Sequence, residues 1–185
     1  MSDYFNETHQ QVRATARKFI ETHVLPHIDD WEEAGEFPRD LYKKAGDAGL
    51  LGIGFPEALG GIGEGDIFLK VAVSEELMRS TSGGLVAGLG SLDIGLPPVA
   101  RWAKKDIREQ IVPPVLRGEK IAALAVTEPG GGSDVANLKT RAVRDGDPSE
   151  EVKVRLPVAC TMNDEINHPR LPALMQILQA GKKPI

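Results

Sequence analysis

Apolar residues recur at helical spacing along the first two thirds of the chain. In the first segment, from Asn6 to Val24, they fall three and four residues apart, and Pro26 follows the last of them. This pattern predicts an amphipathic helix with one buried face. An acidic link, residues 29–33, follows it. A second helix is then predicted to begin near Glu36 and to end at Gly49.

The third predicted helix follows a glycine-dense loop, residues 50–63, whose many apolar side chains indicate a structured crossing rather than a linker. Asp66 is expected to cap this helix, which runs to about Ser80. The adjacent Glu75 and Glu76 are interpreted as part of its solvated face. The residues expected on its inward face are Ile67, Val71, Leu77 and Met78.

Three more helices are predicted before residue 119. The fourth covers Gly84 to Leu92, and the fifth is expected to begin at Pro97-Pro98, because proline fits the first turn of a helix. The stretch Asp106-Ile-Arg-Glu109 has the spacing of a capping box and predicts a sixth helix that ends near Gly118. Pro113-Pro114 lies inside it and is expected either to kink this helix or to end it early.

After Glu119 the helical spacing gives way to short runs typical of β-strands. Residues 121–127 and 138–144 are predicted to be the first strands of a new domain. The remaining chain contains a third apolar run and a short amphipathic helix, Leu171 to Ala180. We therefore divide the chain into a helical domain (1–119), a β segment (120–146) and a strand–loop–helix tail (147–185).

Composition excludes several classes of function. The chain has 185 residues, of which 41% are hydrophobic and 26% charged, as in an ordinary soluble globular protein. A net charge of −5 argues against a nucleic-acid surface. No segment approaches the roughly twenty apolar residues of a membrane span, so no membrane role is expected. The single cysteine, Cys160, and the absence of an export signal favour a reducing, cytoplasmic location.

The most informative stretch for function lies between the two predicted strands, where Pro129 precedes three consecutive glycines. Glycine lets the main chain approach a ligand closely and leaves amide N–H groups exposed, while Thr127 and Ser133 add hydroxyl groups. Phosphate groups and heteroaromatic rings bind to such donors. A simple glycine-rich hairpin connection is the alternative, because short glycine motifs occur by chance.

The wording of this stretch decides between those alternatives. Val126-Thr-Glu-Pro-Gly-Gly-Gly-Ser-Asp134 resembles the flavin-binding signature of the acyl-CoA dehydrogenase family. The resemblance continues upstream in Gly49-Leu-Leu-Gly-Ile53, in Pro56-Glu-Ala-Leu-Gly-Gly61 and in the run from Gly118 to Pro129, and it covers residues 1 to about 146. One departure is Asn137, where the family usually has a smaller residue.

The resemblance implies a mainly α chain, with an all-helical N-terminal domain followed by the start of a β-barrel. It also implies that FAD is the cofactor. By resemblance, Val126 and Thr127 contact the flavin ring, and Gly132 and Ser133 lie near the FAD pyrophosphate and the pantetheine arm of acyl-CoA. Leu92 corresponds to a region that lines the acyl pocket.

The implied reaction is the α,β-dehydrogenation of acyl-CoA thioesters in fatty-acid metabolism, with electrons passed to electron transfer flavoprotein. In the family a glutamate of a C-terminal helical bundle removes the α proton. We expect this sequence, truncated or fused, to lack that bundle and to be inactive alone, so no residue is assigned as catalytic. The full-length family is expected to form homo-oligomers.

The tail, residues 151–185, is similar to the recognition-loop region of the β subunit of electron transfer flavoprotein. The position that matches its anchoring leucine is Leu174. This resemblance suggests a second hypothesis, a non-catalytic interaction module that docks a dehydrogenase or flavoprotein partner. An ordinary amphipathic helix that packs on its own core is the structural alternative. A gene fusion, an artificial recombination or a truncation would each explain the join.

Overall fold

The computed structural model describes residues 4–124, 127, 132–137, 141–142 and 154–155. These residues are mainly helical, so the predicted mainly α fold is confirmed. The α-helices are α1 (Glu7–His23), α2 (Ile28–Ala34), α3 (Asp40–Asp47), α4 (Ile67–Leu77), α5 (Gly83–Gly90), α6 (Leu92–Trp102) and α7 (Lys105–Leu116). The 3₁₀-helices are Leu50–Gly52, Glu57–Leu59, Met78–Ser80 and Val135–Asn137. Two short strands, β1 (Arg141–Ala142) and β2 (Val154–Arg155), pair antiparallel, with Arg141 opposite Arg155. The predicted helix Leu171–Ala180 lies outside the described residues.

Helix α1 begins where the sequence predicts, because its first turn satisfies its own backbone groups. The Asn6 side chain accepts a hydrogen bond from the His9 backbone N–H at 3.2 Å, and the Asn6 N–H donates to His9 Nδ1 at 3.1 Å. The His9 ring is buried, and its Nε2 lies 3.0 Å from Asp66 Oδ2. Asp66 in turn caps α4 by accepting from the Phe68 N–H. The starts of α1 and α4 are therefore joined by one chain of hydrogen bonds.

The hydrophobic core lies among α1, α4, α5, α6 and α7, and α1 packs most extensively against α4. Burying one large aliphatic side chain of this kind stabilises a fold by about 1.5–3 kcal/mol. The largest apolar side chains that are fully buried are Ile20, Leu41, Leu85, Leu96, Val24, Val99, Val112 and Val115.

The prediction for the inward face of α4 was largely wrong. Ile67, Val71 and Met78 are exposed, and of the four predicted residues only Leu77 packs against the core. The helix instead buries Leu69, Ala72, Val73 and Glu76. The apolar residues of α4 itself lie on nearly every side of the helix. Their spacing therefore did not distinguish the face that α1 covers.

The interpretation of Glu76 as a solvated residue was also wrong. Its side chain is only 4% exposed, and it receives two hydrogen bonds from the Arg17 guanidinium, at 2.7 and 3.0 Å. Arg79 adds a longer contact of 3.6 Å. The hydrogen bonds from Arg17 lower the pKa of Glu76 and outweigh the effect of its burial. Its neighbour Glu75 is half exposed and pairs with Arg13 at 2.6 Å, as expected of a surface residue.

The acidic link of the sequence prediction is a helix, α2, which Gly35 ends in a left-handed conformation. Helix α7 begins at Lys105, without a side-chain cap, so the capping box expected at Asp106 does not form. Asp106 instead lies in the first turn, where its negative charge interacts favourably with the positive end of the helix dipole.

Both proline pairs lie inside helices rather than at a start or a break. Pro97-Pro98 is in the middle of α6, which begins at Leu92 and not at the prolines, and α7 continues past Pro113-Pro114 to Leu116. A proline removes the hydrogen bond to the carbonyl four residues earlier. The residues that lose those bonds, at positions 93, 94, 109 and 110, are all exposed, so water can solvate their carbonyl groups.

One helical stretch of the described chain, Gly83–Trp102, is long and apolar enough to cross a membrane by length and composition, contrary to the sequence expectation. It consists of α5 and α6, which meet at Ser91. Leu85, Leu89 and Leu96 on this stretch are buried in the core. Packing inside a helical domain therefore accounts for part of its apolar composition, since 39% of the apolar window is buried.

We predict that Glu76→Gln lowers the free energy of unfolding by about 1–3 kcal/mol at pH 7, because a buried, charge-assisted hydrogen-bond pair with Arg17 is lost. Urea denaturation followed by circular dichroism measures this change. The control is Glu75→Gln on the same helix, which removes an exposed pair and should cost under about 1 kcal/mol. Equal losses from both substitutions would contradict a special role for Glu76.

The lowered pKa of Glu76 also predicts how stability depends on pH. The unfolded chain binds this proton near the ordinary glutamate pKa of about 4.3, and the folded chain binds it only at lower pH. The stabilisation that ionised Glu76 gives the folded chain is therefore complete above the unfolded pKa. It is lost as the pH falls through the lower pKa of Glu76 in the folded chain. The difference in unfolding free energy between the parent and Glu76→Gln should shrink below about pH 4. A difference that stays constant down to pH 3 would contradict this assignment.

Candidate functional site

The segment that leads into the glycine stretch lies against the start of α6, and its described residues, 121–124 and 127, do not form the strand predicted for 121–127. The Ser91 hydroxyl, at the junction of α5 and α6, donates to the Ala122 carbonyl at 2.8 Å and lies equally close to the Gly88 carbonyl. A Cβ atom on Gly95, one turn into α6, would come within 3.2 Å of the Ala123 backbone. The main chain at residues 122–124 is thus held against the helix that carries Leu92.

Gly118 turns the chain from α7 into this segment. It has a φ of 69°, and its N–H bonds to the Val115 carbonyl at 2.9 Å, in a left-handed C-terminal turn. A Cβ atom at this position would lie 2.0 Å from the Tyr42 carbonyl oxygen. Both the backbone conformation and the lack of space therefore require glycine here.

Three residues assigned to cofactor or substrate contact can be located beyond this turn. Thr127, Gly132 and Ser133 are all exposed, and among the described residues a Cβ atom on Gly132 would meet nothing within 4 Å. Directly after them, the Asn137 N–H donates to the Asp134 carbonyl at 3.2 Å, and its side-chain amide donates to the Asp134 carboxylate at 2.7 Å. The hydroxyl groups of Thr127 and Ser133 are thus open to a ligand, next to a short turn that Asn137 closes.

Leu92, the residue assigned to the acyl pocket, is 5% exposed and lines a cavity of about 90 Å³. Most of the wall is aliphatic, and two charged residues, Lys70 and Asp93, close part of it. The aliphatic wall residues besides Leu92 are Ala45, Leu50, Leu51, Ile53, Val73, Leu77, Val86 and Leu89. An apolar cavity of this kind suits the hydrocarbon part of a ligand.

Two larger cavities are also formed by the described residues. One of about 380 Å³ is lined by the aromatic residues Trp31, Phe37 and Tyr42. The other, of about 240 Å³, is lined by residues of the loop before α4 and by α6. Among the described residues, no group of three or more His, Cys, Asp or Glu side chains could hold a metal ion.

The segment leading to Thr127 thus contacts Ser91 and Gly95, and Leu92 lies between these two positions at the start of α6. Two other assigned residues, Val126 in the glycine stretch and Leu174 in the tail, lie outside the described residues. The sequence analysis missed the Lys70–Asp93 pair, with Lys70 Nζ 2.5 Å from Asp93 Oδ1, because these residues lie 23 positions apart and on different helices.

Comparisons with known proteins give matches over the helical part of the chain. Residues 6–119 match the family described as Acyl-CoA dehydrogenase, N-terminal domain. The mitochondrial long-chain specific acyl-CoA dehydrogenase of Rattus norvegicus is 42% identical over 142 residues, which are 77% of this chain and 33% of that protein. The chain therefore spans about a third of the length of the curated relatives it matches.

Solved structures give the same result. A crystal structure of a putative acyl-CoA dehydrogenase from Mycobacterium smegmatis has a TM-score of 0.71 and 48% identity, covering 79% of this chain and 38% of that one. An acyl-CoA dehydrogenase from Bacillus anthracis, complexed with FAD, has a TM-score of 0.67 and 36% identity over 75% of this chain and 24% of that one.

We predict that Gly118→Ala destabilises the fold more than Gly35→Ala does. Both glycines are left-handed, but a Cβ atom on Gly35 meets nothing within 4 Å, so Gly35→Ala shows only the conformational cost of about 1–2 kcal/mol. Gly118→Ala adds a clash with the Tyr42 backbone, for about 1–3 kcal/mol more. Urea denaturation of the two variants measures the difference, and equal losses would show that the close approach does not constrain the fold.

Proposed function

The chain belongs to the acyl-CoA dehydrogenase family, and from that membership we propose that it supplies part of the substrate and flavin site of an FAD-dependent acyl-CoA dehydrogenase. The observation that carries the proposal is the apolar cavity at Leu92, the residue after Ser91, whose hydroxyl bonds to the segment leading into the flavin-type signature. The reaction we propose for the whole protein is the α,β-dehydrogenation of acyl-CoA thioesters.

The exposed donors after Leu124 are chemically suited to FAD. The Thr127 hydroxyl can bond to a heteroatom of the flavin ring, and the Ser133 hydroxyl, with the amide of Gly132, can bond to the pyrophosphate. None of the described residues comes within 4 Å of a Cβ atom built on Gly132, which favours such an approach. When bound, FAD would supply the oxidant, as the acceptor of a hydride from the β carbon.

The part of the reaction that these residues perform is binding and positioning. Leu92 and the aliphatic side chains around it exclude water from the hydrocarbon part of an acyl group. Ser91, by bonding the Ala122 carbonyl, ties the start of α6 to the chain that leads to the flavin donors. We assign no proton-transfer residue in this chain, and we propose electron transfer flavoprotein as the acceptor of the electrons.

We predict that Thr127→Val and Ser133→Ala each weaken FAD binding by about three- to tenfold, because each removes one hydrogen bond to the cofactor. Titration of the chain into FAD, followed by flavin fluorescence, measures the dissociation constant. The matched control is Thr15→Val, which removes a hydroxyl bonded only to the Gln11 carbonyl on the surface of α1. FAD affinity that is the same in the parent and in both loop variants would contradict the proposed contacts.

A further inference from the structure

We infer that Lys70 and Asp93 form a polar wall that limits the length of acyl chain that the Leu92 cavity accepts. This inference rests on the proposed function, since it names a specificity determinant of the same site. It assigns to Lys70 a role as the divider between the Leu92 cavity and the cavity of about 240 Å³ beside it.

Lys70 is the residue that the two cavities share. On one side it lines the aliphatic cavity with Leu92, and on the other it lines the larger cavity with Phe55 and Arg101. The Leu92 cavity alone, at about 90 Å³, is smaller than the roughly 300–1,000 Å³ of typical small-molecule pockets. The two cavities together reach the lower part of that range, so the position of one side chain decides how much space is continuous.

Three contacts hold the Lys70 side chain in this position. Its Nζ lies 2.5 Å from Asp93 Oδ1, and it lies 5.1 Å from the centre of the Phe55 ring, within the range of a cation–π interaction. Its aliphatic stem passes over Gly54, where a Cβ atom would come within 2.3 Å of Lys70 Cε. The bare backbone at Gly54 therefore makes the space that the stem occupies.

These contacts give the wall its selectivity. The Lys70 side chain is only 28% exposed, and its charge is balanced by Asp93, so the pair is both tethered and partly shielded from water. A hydrocarbon chain that grows past Leu92 meets this ion pair, and it can go further only by displacing a side chain held at three points. Chains short enough to end before the pair bury every carbon without that cost.

The test is the affinity of the 185-residue chain for saturated acyl-CoA thioesters of 4 to 14 carbons, measured by isothermal titration calorimetry. Each additional buried methylene should tighten binding about fourfold until the acyl chain reaches the wall, after which the affinity should stop rising. In Lys70→Ala the affinity should continue to rise about fourfold per methylene beyond that length, because the two cavities are joined.

Further variants separate the wall from an effect on folding. Lys70→Arg keeps a cation that can pair with Asp93 and stack on Phe55, so it should retain the parental length limit. Asp93→Ala, at a half-exposed position, releases the ammonium group and should extend the limit in the same direction; if Lys70→Ala does not fold, this variant decides the question. Lys44→Ala, which breaks a surface pair with Asp40, is the matched control and should leave the length dependence unchanged.

The outcomes distinguish this inference from the proposed function. A parent that binds acyl-CoA with a length limit, and variants Lys70→Ala and Asp93→Ala with the same limit, would overturn the wall and leave the proposed function intact. A parent whose affinity does not depend on acyl length would also overturn the wall. Failure of the parent to bind any acyl-CoA, with the fold intact by circular dichroism, would overturn both.

Discussion

The close approach of one main chain to another is the constraint on which the candidate site depends. At Gly118 the chain leaves α7 in contact with the Tyr42 carbonyl, and at Gly95 the α6 backbone lies against Ala123. Side chains can adjust to one another, whereas the backbone leaves no space for a Cβ atom at Gly118 and only a tight contact for one at Gly95. The segment that leads to the flavin donors is therefore positioned by α3 and α6 together.

The rotation of α4 about its own axis links the stability of the helical domain to the shape of the Leu92 cavity. Leu69, Ala72 and Glu76 are buried on α4 at spacings of three and four. Arg17 of α1 donates two hydrogen bonds to the carboxylate of Glu76. The neighbouring positions Lys70, Val73 and Leu77 line the Leu92 cavity. A rotation of α4 that broke the contact with Arg17 would also move the wall of the cavity. The Arg17–Glu76 ion pair therefore stabilises both the packing of α4 and the shape of the cavity.

Much of the fold could be predicted from local patterns. The start of α1 at Asn6 and the cap of α4 at Asp66 are signals of a few residues, and the structure forms both. The wording around Thr127 pointed to the flavin-type loop, and the family match of residues 6–119 agrees with the resemblance read upstream of it. Patterns failed where two signals competed. The acidic residues of α2 suggested a link. Pro97-Pro98 suggested a helix start and Pro113-Pro114 a kink or an early end, although α6 and α7 continue through them.

The sequence by itself determined the helical class, the main helix caps and the family, because each depends on residues that are adjacent or that carry a distinctive order of letters. The tertiary structure alone decided which face of α4 is buried, that Glu76 is inside, and that Lys70 meets Asp93. The physical reason is distance along the chain. Arg17 and Glu76 are 59 positions apart, and Ser91 and Ala122 are 31 apart, so no local periodicity encodes these pairs. They form only once the core has fixed how the helices lie against one another.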